Sequence, residues 1–190
     1  MSDTSQFTLL RQRRFAPFFG VQFAGAMNDN VFKQALVILL AYQTTSFTSM
    51  STDVLQNVAQ ALFILPFFLF SATAGQLADK YEKSRLISIT VAIELAVMML
   101  GAAGLFMHSL ELLFLALFLG GVQSALFGPV KYAILPQHLK ESELVGGNGL
   151  VEMGTSVAIL FGMMLGGWLV SQQGWGIAAV AVTTIALSAA

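Results

Sequence analysis

An all-α polytopic membrane protein is the fold class this sequence predicts, and three observations predict it. The 190-residue chain is 56% hydrophobic and 10% charged with a mean hydropathy of +0.77, whereas a soluble domain carries about 25% charged residues. Its apolar residues gather in six runs, near 15–41, 54–76, 85–107, 111–134, 146–170 and 176–190, and roughly 20 such residues cross a hydrocarbon core as a helix. Within the runs polar and apolar residues do not alternate, so the strands of an outer-membrane barrel are excluded.

The remaining composition removes other classes. A net charge of −1 lacks the basic stripe of a nucleic-acid binder. Without cysteine there is no disulfide framework, thiolate metal site or cysteine nucleophile. No phosphate-cradling glycine loop, zinc spacing or Ser-His-Asp arrangement stands out, so neither cofactor nor metal is expected and the chain does not read as an enzyme.

Residues 1–14 read as a short polar cytoplasmic arm, flexible or lying on the membrane surface. Arg11, Arg13 and Arg14 hold this end on the cytoplasmic side by the positive-inside rule, and the run that follows is too long for a signal-peptide core. That first run carries Asp29 and Lys33 near its middle, where insertion costs roughly 2.5–3.5 kcal/mol for each charge. Acid before base at i, i+4 lets them pair on one helical face. Gln22, Ala26 and Leu36 share that face, and Asn28 and Asn30 flank it. The plain reading is a pair neutralised by a neighbouring helix. The functional reading, a polar passage, is preferred because ionisable residues at this depth mark transport pathways.

The connections test the topology separately. Residues 42–53, the turn around His108 and the stretch 171–176 hold no lysine or arginine, and are expected outside. Lys80, Lys83 and Arg85, then Lys131 and Lys140, fall in the alternate connections, as cytoplasmic loops require. Trp168 and Trp175 straddle the expected outer interface, where indoles anchor among headgroups. His108 and Glu111 read as solvated. The last run reaches only about 22 Å at 1.5 Å per residue, which predicts a truncated sixth helix and hence a chain that is part of a longer one.

Gly75–Ile87, GQLADKYEKSRLI, closes the second run. Gly75, Leu77, Ala78, Asp79, Lys80 and Lys83 resemble the cytoplasmic loop signature of the major facilitator superfamily, with Glu82 where the motif has its second glycine. The alternative is an ordinary basic turn. Gly75 permits close helix approach, and Asp79 stands at the unfavourable end of its own helix dipole and needs an outside partner. The resemblance implies that this partner lies in the other six-helix half, so that Gly75, Asp79, Lys80, Lys83 and Arg85 belong to a gate. It also implies the N-terminal half of a major facilitator fold, two inverted three-helix repeats, whose spans one and four line the central path.

Two further stretches narrow the resemblance. FAGAMNDNVFK at Phe23–Lys33 and FGPVKYAILP at Phe127–Pro136 are similar to the lysophospholipid transporter branch, whose members move lysophospholipids inward across the bacterial inner membrane and are in part fused to acyltransferase domains. The implied partners are a lysophospholipid such as lysophosphatidylethanolamine, the bilayer, the C-terminal six-helix half and an acyltransferase, fused or separate. Asp29, Asn30, Lys33, Lys131, Asn28 and Gln123 are the implied substrate contacts. A phosphate and an ammonium on one headgroup call for both signs of charge, with Lys33 or Lys131 at the phosphate and Asp29 at the ammonium.

Each remaining polar residue has two readings. Lys131 either snorkels to the headgroups or lines the path, and the flanking Pro129 and Pro136 favour lining, because broken helices are tolerated in membranes only where packed or facing a cavity. Glu152, on one face with Asn148 and Thr155, is a cytoplasmic gate or a helix–helix contact. Glu94 falls in span three, which the superfamily usually keeps outside its cavity, and pairing with the other half or proton coupling both stay open. Ala158, Gly162, Gly166 and Gly167 are similar to an antiporter glycine motif without its proline, and close packing explains them equally. Rival functions are transport of another amphiphile or drug, the membrane part of a fused acyltransferase, and a scaffold that does not transport.

Overall fold

The computed structural model describes residues 6–42, 51–172 and 174–190. Six long helices and one short one make up almost all of it, and no strand occurs among the described residues. They are α1 (Ala16–Tyr42), α2 (Thr52–Lys80), α3 (Lys83–Phe106), α4 (Leu110–Ala133), the four-residue α5 (Leu135–His138), α6 (Glu141–Val170) and α7 (Gly176–Ala189). By length and composition α2, α3, α4 continued through α5, and α6 can each cross a membrane. At 27 residues α1 is long enough as well, but its polar centre lowers its hydropathy. α7 is apolar and shorter, at 14 residues. The outer connection expected at 42–53 lies mostly outside the described residues.

The helices pair in a symmetric way. α1 packs most extensively on α6 and α2 on α4, while α3 lies against α4 and α7, and α1 also touches α7. Exchanging the first three long helices for the last three turns the α1–α6 contact into α4–α2 and α3–α7 into itself, as two related three-helix units require.

Backbone proximity is bought by glycine at both symmetric contacts. A Cβ on Gly166 of α6 would stand 2.6 Å from the Val31 carbonyl oxygen, and one on Gly121 of α4 would stand 2.5 Å from that of Phe63. Only a residue without a side chain lets the helices come this close.

Two apolar clusters close the ends of the bundle. One gathers Leu36, Leu39 and Leu40 of α1 with Leu55, Met98, Leu105, Leu113 and Val180. The other joins Phe15 to Leu9, Leu135, Leu139, Leu150 and Val151. Between them runs the polar stretch of α1. Outward-facing positions are apolar too: Phe68 is 81% exposed and Met164 62%, the surface expected of helices whose solvent is lipid.

The arm before α1 departs from expectation over residues 6–14. Gln6–Arg11 forms a 3₁₀ turn, and Leu9 is buried in the second cluster rather than free. Arg14 fixes it: its guanidinium contacts both carboxylate oxygens of Glu143 at 2.7 and 2.8 Å and donates to the His138 carbonyl at 2.8 Å. Nη2 makes both carboxylate contacts and Nη1 the carbonyl bond, so one guanidinium serves both partners.

Candidate functional site

α1, α3, α4 and α6 line a half-open cavity of about 260 Å³, with Phe63 and Phe67 of α2 along one side. Asp29 and Asn30 from α1, Gln123 and Lys131 from α4, Glu94 from α3 and Thr155 from α6 all line it. Four of the six implied substrate contacts are therefore on one cavity. The other two, Asn28 and Lys33, are not among its lining residues.

Asp29 is held from across the bundle. The Ser124 hydroxyl of α4 donates to its Oδ2 at 2.6 Å, with the Gln123 carbonyl oxygen 3.3 Å from the same hydroxyl. The expected pairing with Lys33 is not made: no ion pair joins them among the described residues. Lys33 instead places its ammonium over the Phe63 ring, 4.9 Å from the centroid, an arrangement that ring quadrupoles favour. A hydroxyl at closer range and an aromatic face on another helix have replaced the i, i+4 contact.

Lys131 takes the lining reading. Its Nζ donates to the Thr155 hydroxyl at 3.3 Å and lies 3.6 Å from Glu152 Oε1 and 4.8 Å from the Tyr132 ring centroid. The Thr155 hydroxyl in turn has two acceptors for its one proton, Gln22 Oε1 at 3.0 Å and the Val151 carbonyl at 2.9 Å. Glu152 also accepts from the Tyr132 hydroxyl, so both of its contacts are helix–helix contacts between α4 and α6.

Asn28 and Glu94 meet inside the bundle. Asn28 is fully buried, donating to Glu94 Oε1 and to Ser188 Oγ of α7, each at 2.8 Å. Gln123 donates to Glu94 Oε2 at 3.4 Å and to the Thr90 carbonyl at 3.3 Å. Glu94 is thus on the cavity and not outside it, because Gly25 leaves room on α1: a Cβ there would lie 3.3 Å from Glu94 Oε2. A lone acid in an apolar run was the available signal; its partners come from two other helices, α1 and α4. Asn30 turns back to its own helix, donating to the Ala26 carbonyl at 2.8 Å.

At the expected gate, α2 continues through Asp79 and Lys80, and only Tyr81 and Glu82 separate it from α3. Glu82 caps α3, accepting from the Ser84 and Arg85 backbone N–H groups at 3.0 and 2.7 Å. Its φ of −67° needs no glycine, so the departure from the motif is accommodated and adds a cap. These N–H donors hold its carboxyl below the ordinary carboxylate range. Asp79 is exposed and has no hydrogen-bond or ion-pair partner among the described residues. Lys80 lies over the Tyr81 ring at 5.6 Å, and Lys83 opens α3. A Cβ on Gly75 would meet nothing within 4 Å, so the close approach expected there is not made within this chain.

The bundle and the polar cavity among its helices define a polytopic helical membrane protein with a polar site between its spans. The chain belongs to the Major Facilitator Superfamily, whose sequence profile matches residues 18–190. It is 34% identical over 148 residues to the Lysophospholipid transporter LplT of Salmonella heidelberg (strain SL476), and equally so to those of Salmonella newport (strain SL254) and Salmonella agona (strain SL483). Each alignment takes in 78% of this chain and 34% of the relative, so the chain spans about a third of the length of the curated relatives it matches. No solved structure matches the chain.

Proposed function

We propose that this chain is the N-terminal six-helix half, residues 15–190, of a secondary transporter that moves lysophospholipid across the bacterial inner membrane by alternating access, with residues 1–14 on the cytoplasmic side. The observation that carries the reading is one cavity with a carboxylate wall at Asp29 and an ammonium at Lys131 that are not paired with each other. A zwitterionic headgroup carries its two charges apart, and the Lys131 ammonium, whose Glu152 contact is long at 3.6 Å, can turn to a phosphate while Asp29 meets the ammonium. The printed names of the relatives support the same substrate class.

Lys131, not Lys33, meets the phosphate in this arrangement, and Asp29 meets the ammonium. Asn30 and Gln123 shape the walls, and Asn28 supports them from behind. Asp79 and Arg85, with Gly75, Lys80 and Lys83 around them, form a cytoplasmic latch whose counterpart lies in the C-terminal half, and Glu152 links α4 to α6. Reacylation of the delivered lipid falls to an acyltransferase, separate or fused. The test is inward flipping of lysophosphatidylethanolamine by the full-length protein in proteoliposomes. Asp29→Asn should lower the initial rate by about tenfold or more at unchanged expression; an undiminished rate would overturn the assignment.

A further inference from the structure

Around Glu94 hydrogen-bond acceptors outnumber donors. Both N–H groups of the Asn28 amide are used, on Glu94 and Ser188, and those of Gln123 go to Glu94 and the Thr90 carbonyl. Ser124 has one proton, directed at Asp29. Left over are the Asn28 carbonyl oxygen, buried without a partner, the Gln123 carbonyl oxygen, and the free lone pairs of two carboxylates. No lysine, arginine or histidine nitrogen lies within 4.0 Å of either acid among the described residues. Lys131, the cation on the same cavity, is occupied by Thr155 and Glu152.

We infer that Glu94 is a specificity-determining residue of the cavity, acting with Asp29 as a paired carboxylate site for a primary ammonium group. The inference rests on the transporter reading and extends it to headgroup choice. An ammonium has three N–H donors and no acceptor, which is what an acceptor-rich wall lacks. Glu94 is only 6% exposed, so a hydrogen bond that an ammonium makes there is shielded from competing water. Gly25 sets the geometry: it lies one turn before Asp29 on α1, and the space above it holds Glu94 Oε2. The two acids therefore approach the same stretch of α1 from its own side chain and from α3. A headgroup with hydroxyls in place of the amine would bring no cation to the pair.

The test uses full-length protein in nanodiscs and four probes: lysophosphatidylethanolamine, lysophosphatidylglycerol, dodecylammonium and dodecanol. Glu94→Gln should weaken both ammonium-bearing probes by about tenfold and leave the other two within about twofold, removing the preference for ethanolamine over glycerol. Gly25→Ala, which displaces the Glu94 carboxylate without deleting it, should shift the preference in the same direction, and it decides the matter where Glu94→Gln does not yield monodisperse protein. Equal weakening of all four probes would assign Glu94 a structural role only, and unchanged binding in both variants would remove it from recognition; either overturns the inference. If wild-type protein binds dodecylammonium in a Glu94-dependent way but neither lysolipid, the ammonium site stands and the lysophospholipid reading falls.

Discussion

The Ser124 hydroxyl holds Asp29 across the gap between α4 and α1, at 2.6 Å, and Lys33 has no part in that contact. Span one and span four are thus joined at the cavity by a neutral donor. The remaining lone pairs of the acid stay open to a ligand while the cation of its own helix faces Phe63.

The two lysines should therefore separate in experiment. Lys131→Met is expected to weaken lysophosphatidylethanolamine binding about tenfold, the scale of a lost charge-assisted hydrogen bond. Lys33→Met should leave it within about threefold, a smaller change than that bond's loss. Titration of both variants by intrinsic fluorescence, normalised to monodisperse protein, decides between them, and equal losses would contradict the geometry.

Gly166→Ala should destabilise the bundle by roughly 1–3 kcal/mol, since the added methyl meets the Val31 carbonyl and must push α1 off α6. Gly75→Ala, where a Cβ meets nothing, is expected to leave the melting temperature unchanged. Paired thermal melts followed by size-exclusion recovery make the comparison.

Leu9→Ala should reduce stability by about 2–4 kcal/mol, as for other large-to-small changes in a packed cluster. Arg14→Ala should also lower the melting temperature, and its effect should shrink in high salt, because the Glu143 contact is partly exposed. A salt-independent loss would mean that Arg14 acts through its neutral contacts, the His138 carbonyl among them, and not through the Glu143 charge.

Glu82 provides the pH dependence. Its ionised carboxyl accepts two backbone N–H bonds, so its pKa in the folded protein lies below the ordinary 4.5. The native state therefore gains stability from it above that value, and the gain is lost as the pH falls through the lowered pKa. Glu82→Gln should lower the melting temperature at pH 7, and the gap to wild type should narrow towards pH 3. A gap independent of pH would show that charge is not what the cap supplies.

How far the sequence could be read depended on the range of the interaction. The six apolar runs and the basic connections are local, and the helical class followed from them. Gly162 and Gly166 announced close packing by their spacing, and the structure places them against Met27 and Val31 of α1. The Asp29–Lys33 pairing failed because i, i+4 spacing states what is possible on one helix, and a hydroxyl 95 positions away competes better. Glu94 was visible as a charge without a partner. Its donors, Asn28 and Gln123, lie 66 and 29 positions off, and no local pattern reports such distances. The docking of Leu9 was hidden for the same reason, since a polar arm with three arginines reads as solvated until the groove beside α6 is known.

The carbonyl-to-glycine seam between α1 and α6 has a mechanical consequence. Two helices locked backbone to backbone tilt together as a stiff spine, carrying Asp29 and Thr155 with them at fixed separation. Compliance is left to the aromatic flank, where Phe63 and Phe67 meet the cavity through side chains that can swing. A guest with a long hydrocarbon tail would part those rings toward the oil, while its charged end rests against a frame that does not yield.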